Sequence, residues 1–218
     1  MPLSIASPAC AASSSFGTAP TQTTAPVDLS LQRALASRKI ASETGRPVMI
    51  GFNRRFDPNF AALKAAVDRG EIGSAELLSV TSFDPGPPPV SFIKVSGGLF
   101  RDMMIHDFDM ASWIMGGLPK AVRAVARSIV DPEIGAAGDV DMAVVTLEYA
   151  DGRITIIKIS RRSVYGYDQR VELLGLEGLL SAGYVIENTI VKSTKDGVVS
   201  AGPEFFFLER YIRAYAAE

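Results

Sequence analysis

The order of the predicted elements gives an α+β fold built on a largely antiparallel, open sheet covered by helices on one face. Three observations point there. Helix, strand, helix, strand, loop and helix come first and a run of strands follows, which suits segregated layers better than alternating βαβ units. Turn signals at Asp151-Gly152, Glu177-Gly178 and Asp196-Gly197 punctuate the second half. Strands there are apolar on both faces: within 153–162, Ile154 and Ile156 share one face, Ile157 and Ile159 the other. A sheet of that kind needs cover on both sides, so the face without helices is expected to self-associate as a homo-oligomer.

The elements follow in order. Residues 28–44 are expected to be helical, with Leu29, Leu31, Leu35 and Ile40 on an apolar face, Asp28 or Ser30 as cap, and Gly45 then Pro47 as stop. Residues 47–52 read as a short buried strand. Asp57-Pro58 opens a second helix that continues through Phe60, Leu63, Ala66 and Val67 to Gly70. Residues 76–83 read as a strand. The proline-rich loop 84–89 is barred from helix, and 98–115 reads as the third helix. Strands are expected at 121–130, 141–149, 153–162, 169–174, 179–182, 185–193 and 198–201, with turn-rich sequence at 131–139. A closing helix starts near 204. Residues 1–27 hold no charge and are rich in Ala, Ser, Thr and Pro, which predicts an unordered leader. They contain neither the basic start of a secretory signal nor the arginines of a transit peptide.

Composition narrows the function classes. The 218 residues carry 22 Lys plus Arg and 24 Asp plus Glu, a net charge of −2, which offers no basic surface for nucleic acid. No apolar run approaches the roughly 18 to 20 residues of a membrane span. Cys10 is the single cysteine and His106 the single histidine, so neither a disulfide nor a cysteine- or histidine-rich metal site is expected. A reducing, cytoplasmic setting fits.

Chemistry concentrates around His106. On a helix, Asp102 and His106 are four residues apart on one face, and Asp109 is three further on. A carboxylate beside an imidazole fixes its tautomer and raises its basicity, as a general base needs; a solvated or capping pair has the same spacing. Arg54 and Arg55 follow a buried strand and precede a helix, where they either hold a polyol or phosphate or form a surface ion pair. Tyr165 and Tyr167 either bond substrate hydroxyls or pin a turn.

The segments GFNRRFDPNF (51–60), SFDPGPPP (82–89), SGGLFRDMMIHDFDMASWIMG (96–116) and YGYDQRVELLGLEG (165–178) together resemble the inositol 2-dehydrogenases of the Gfo/Idh/MocA family. The resemblance implies an N-terminal Rossmann domain binding NAD or NADP, a C-terminal α+β domain, and oxidation of a cyclitol or sugar hydroxyl to a ketone. It implies His106 as the base and Asp102 as its partner. Arg55, Asp84, Asp109, Tyr165 and Tyr167 are the substrate-binding candidates. Two departures stand out. No G-x-G-x-x-G occurs, so no cofactor-binding residue is assigned, and Ala25 stands where the family's Glu-Lys-Pro motif has its lysine. The expectation is therefore a leader (1–27), a Rossmann remnant (28–52) and a substrate and oligomerisation domain (53–218), truncated at both ends and inactive alone. A non-catalytic binding or oligomerisation module is the alternative.

Overall fold

The computed structural model describes residues 21–218, starting with strand β1 (Thr21–Thr24). This strand falls inside the expected leader, so that reading is corrected for 21–24; its remainder, 1–20, lies outside the described residues. β1 pairs in parallel with β2 (Val48–Gly51), Thr21 opposite Val48. Four uncharged residues without alternation carry no strand signal of their own, and the ladder comes from the partner. Helix α1 (Leu31–Thr44) joins the two strands, capped by Ser30 Oγ, which accepts from Arg33 N–H at 3.4 Å, and closed by Gly45 at φ 64°. None of its residues is buried, and Leu31, Leu35 and Ile40 are exposed.

A 3-10 turn (Asn53–Phe56) leads into α2 (Pro58–Asp68). Asp57 Oδ1 caps that helix, accepting from Asn59 N–H at 2.9 Å and Phe60 N–H at 3.2 Å. Its Oδ2 accepts from Arg210 Nε at 3.1 Å. Arg210 lies on the last helix, α6 (Phe207–Ala217), buried over the ring of Phe60. One carboxylate thus starts a helix and fastens the far end of the chain onto it.

Strand β3 (Ala75–Phe83) is followed by α3 (Val90–Ser96), a π-helical segment (Leu99–Met103) and α4 (Ile105–Met115). The single helix expected over 98–115 is therefore two pieces, preceded by a helix that the sequence did not announce. Gly97 and Gly98, at φ 94° and 79°, end α3 and turn the chain. The wide turn is visible in the Met104 N–H donating to Leu99 O at 2.9 Å.

The second half supplies β4 (Ala121–Arg127), β5 (Met142–Glu148), β6 (Ile154–Ser160), β7 (Asp168–Gly175) and β8 (Gly178–Ala182). A short helix α5 (Pro132–Ala136) occupies the expected turn. The sheet order is β4-β5-β6-β3-β7-β8. The sheet is mixed: four of its ladders are antiparallel, and β3, entering from the helical half, runs parallel to β6, a parallel pair that the largely antiparallel expectation did not place. Val80 there lies opposite Ile157 on one side and Val171 on the other. Sequence adjacency pairs hairpins, but a strand from the other half of the chain was free to take the centre because Leu78 and Val80 need neighbours on both edges. The expected strand at 185–193 is reduced to a bridge between Ile186 and Pro203 and to β9 (Val191–Thr194), which forms a separate hairpin with β10 (Gly197–Ser200).

Leu78, Val80, Val145, Ile157, Ile159, Val171 and Leu173 form one core with Met110, Ala111 and Ile114 of α4 and Phe60 of α2. By register, Val125, Val144, Ile154, Leu174 and Leu179 lie on the opposite face, and all five are exposed. No helix among the described residues is long and apolar enough to cross a membrane.

Asp57→Ala removes the cap of α2 and leaves Arg210 charged and buried. We expect a loss of about 3 kcal/mol or more in urea unfolding. Asp57→Ser retains a cap and recovers only about 1 kcal/mol of it.

Candidate active site

The 3-10 turn and the start of α4 meet through two ion pairs that run in parallel. Arg54 is buried against Asp107, which is fully enclosed. Arg54 Nη2 also reaches Ser82 Oγ at 3.3 Å, and Gln169 Nε2 donates to the same hydroxyl. Arg55 points the other way and grips Asp109 with both arms, Nε to Oδ2 at 2.8 Å and Nη2 to Oδ1 at 2.5 Å. Its guanidinium stands 5.8 Å from the Trp113 ring centroid. The sequence candidates Arg55 and Asp109 are therefore partners of each other. The Asp109 carboxylate is thereby committed to Arg55.

His106 is on the first turn of α4, edge-on to Phe52 with ring centroids 6.0 Å apart. Its Nδ1 is buried and has no hydrogen-bond partner among the described residues. Burial, and then the charge of Arg54, push its pKa down to about 3, so the imidazole is neutral across the physiological range. No hydrogen bond joins Asp102 to His106, which corrects the expected carboxylate–imidazole contact. The π segment rotates Asp102 toward Arg161, whose Nη1 and Nη2 each lie 3.4 Å from Asp102 Oδ2. Burial raises the pKa of Asp102, and Arg161 opposes that rise.

Asp84 leaves the end of β3, its N–H donating to Ser160 O at 2.9 Å. Burial pushes its carboxyl up to about 7, against the fields of Arg54 and Arg161 and with those of Asp107 and Asp102. Asp84 thus feels Asp102, and Asp84 and His106 both feel Arg54. The two tyrosines diverge. Tyr165 is half-exposed and donates to Asp168 Oδ2 at 2.6 Å, the turn-pinning arrangement. Tyr167 is buried in the core, edge-on to Tyr211 at 6.1 Å and tilted against Phe207.

Arg161, Asp107, Ser82 and Gln169 were missed by sequence reasoning. Asp107 sits in the His-Asp-Phe-Asp run beside residues that were noticed. Arg161 ends a strand, and nothing in its neighbours betrays that it turns inward. Among the described residues no cluster of His, Cys, Asp and Glu could hold a metal ion.

Residues 60–181 match the GFO/IDH/MocA C-terminal domain. The chain is 47% identical over 193 residues to the inositol 2-dehydrogenase of Rhizobium meliloti, covering 88% of this chain and 58% of that protein. It is 49% identical over 192 residues to the myo-inositol 2-dehydrogenase of Thermotoga maritima, with 87% and 58% covered. The chain thus spans under three fifths of the length of these relatives. The structure of a myo-inositol dehydrogenase from Corynebacterium glutamicum superposes with a TM-score of 0.86 at 41% identity, over 91% of this chain and 60% of that one. That of the Lactobacillus casei scyllo-inositol dehydrogenase with bound NAD(H) and scyllo-inositol does so at 0.81 and 27%, with 91% and 60% covered.

The proton affinities give opposite pH dependences. Folded Asp84 holds its proton to about 7 and the unfolded carboxyl only to about 4, so this contribution is full below 4 and is lost as pH rises to 7. For His106 the contribution is full above 6.5 and is lost as pH falls toward 3. We expect Asp84→Asn to be more stable than the parent at pH 8 by roughly 1 to 3 kcal/mol. The gap should close by pH 4, as read by thermal unfolding across that range.

Proposed function

The chain belongs to the GFO/IDH/MocA family, and from that premise we propose that it is the polyol-binding part of an inositol 2-dehydrogenase-like oxidoreductase. The observation that carries this reading is His106: a neutral imidazole with an unsatisfied Nδ1, one turn from a carboxylate held by Arg161. In this reading the imidazole accepts the proton of a ring hydroxyl while Asp102 and Asp84 receive hydrogen bonds from neighbouring hydroxyls. Arg55 and Asp109, locked to each other, form the outer wall against which a cyclitol or sugar rests, while the Tyr165 hydroxyl stays with its own turn through Asp168. Tyr167 backs the site from the core.

The relatives' names and the bound NAD(H) of one of them supply the rest of the reaction class, oxidation of a CH–OH group with a nicotinamide cofactor. The unit β1–α1–β2 reads as the tail of the cofactor-binding domain. Its residues do not fit a dinucleotide. The loop from Ala25 to Ser30 contains no glycine, and the start of α1 is already occupied by the Asp28 carboxylate, which accepts from Ser30 N–H at 2.7 Å and pairs with Arg33. The open face of the sheet is the surface through which the chain would pair with another copy, and that exposure also favours the second reading, an oligomerisation module without turnover.

Three measurements test the proposal. Calorimetric titration with myo-inositol should show saturable binding that weakens about tenfold in His106→Ala; equal affinity in both would refute the site. Absorbance at the NADH band, with the purified chain, NAD and myo-inositol, should stay flat. Light scattering should give a dimer or larger, and Val144→Glu should shift it to monomer.

A further inference from the structure

The carboxylate one helical turn from the candidate base, Asp102, is itself held by a buried arginine. Arg161 follows β6 directly, and its N–H donates to Asp141 O at 2.8 Å, so its backbone is fixed. Its side chain is fully buried between two carboxylates: Nη1 and Nη2 at 3.4 Å from Asp102 Oδ2, and Nη2 at 3.5 Å from Asp139 Oδ2. Its Nε has no hydrogen-bond partner, so those two carboxylates are what hold the guanidinium.

Asp139 is anchored in turn. Both of its oxygens accept from Leu99 N–H at 3.1 Å, at the first residue of the π segment that carries Asp102. It presses on Gly98, where a Cβ would stand 2.5 Å from Asp139 Oδ1. The same aspartate thereby fixes the start of the segment and one side of the arginine that faces Asp102.

We propose that Arg161 is a positioning residue for the polyol site: with Asp139 as counter-anchor, it keeps Asp102 turned from His106 and ionised, as an acceptor for substrate hydroxyls. The charges that meet there are one guanidinium and two carboxylates. The titratable and charged groups facing Asp102 are Arg161 and Asp139, with Asp84 beyond them and His106 one helical turn away. In a site that burial has made costly for a negative charge, removing Arg161 lets Asp102 take up a proton, and a protonated carboxyl donates where it should accept. Removing the charge of Asp139 does the reverse, because one competitor for the guanidinium disappears. This inference rests on the proposed function for the identity of the ligand, but the coupling among the three side chains does not.

The test is a carboxyl carbon-13 NMR titration of the full chain labelled at aspartate, with the Asp102 signal assigned by its loss in Asp102→Asn. Arg161→Gln is expected to move the Asp102 midpoint up by about 1 to 3 pH units. Asp139→Asn is expected to move it down, and Arg161→Lys to restore most of the parent value. A merely structural role would lower the unfolding temperature in all three without shifting the midpoint in opposite directions. An Asp102 midpoint that stays put or rises in well-folded Asp139→Asn, or that moves down in Arg161→Lys as it does in Asp139→Asn, overturns the proposal, even if Arg161→Gln does not fold. Myo-inositol titrations of the parent run alongside. If the parent does not bind the polyol but the opposed shifts appear, the functional reading fails and the positioning of Asp102 stands.

Discussion

Arg54 and Arg55 leave the same short turn in opposite directions, and the first of them sets the constraint on which the site depends. The Arg54–Asp107 pair is enclosed at the junction of the turn, α4 and the centre of the sheet, where Ser82 Oγ accepts from both Arg54 and Gln169. Two charges at that depth are tolerated because each has the other; losing one partner of such a pair costs about 3 to 5 kcal/mol. The pair fixes α4 against β3, and it places a permanent positive charge behind His106. That charge, added to burial, is why the imidazole is neutral.

Burial then acts on acids and bases in opposite senses within a few residues. It lowers the proton affinity of His106 and raises those of Asp84, Asp102 and Asp107. A neutral imidazole and carboxyl groups of raised proton affinity therefore occur within one stretch of the fold. Arg161 and Arg54 oppose the rise, each paired with a different carboxylate. The proposal of a neutral, polyhydroxylated ligand rests on this mixture of hydrogen-bonding groups.

The fold divides along the same line. The helix-covered face of the sheet carries the core, and the open face carries exposed aliphatics of five strands' registers. α1 likewise keeps its leucines in solvent. Both surfaces leave aliphatic side chains in solvent, and the proposed pairing with another copy rests on the first of them. The region of the family match, 60–181, coincides with the sheet and the helices that cover it.

Local signals were enough to read α1 with its Gly45 stop, the Asp57-Pro58 start of α2, the β5–β6 hairpin and the helical position of His106, because each depends on neighbours in sequence. The residues of the proposed site were also legible as residue types, through the motif around His106. Contacts between segments were not. β1 has no strand pattern and exists through its partner, and β3 sits between β6 and β7 only because the core requires it there. Arg55 meets Asp109, and Arg161 meets Asp102, across more than fifty residues of chain. Whether Asp102 faced His106 or an arginine was decided by a π turn of five residues and by a side chain from a distant strand, since periodicity specifies a helical face but not which buried charge waits opposite it.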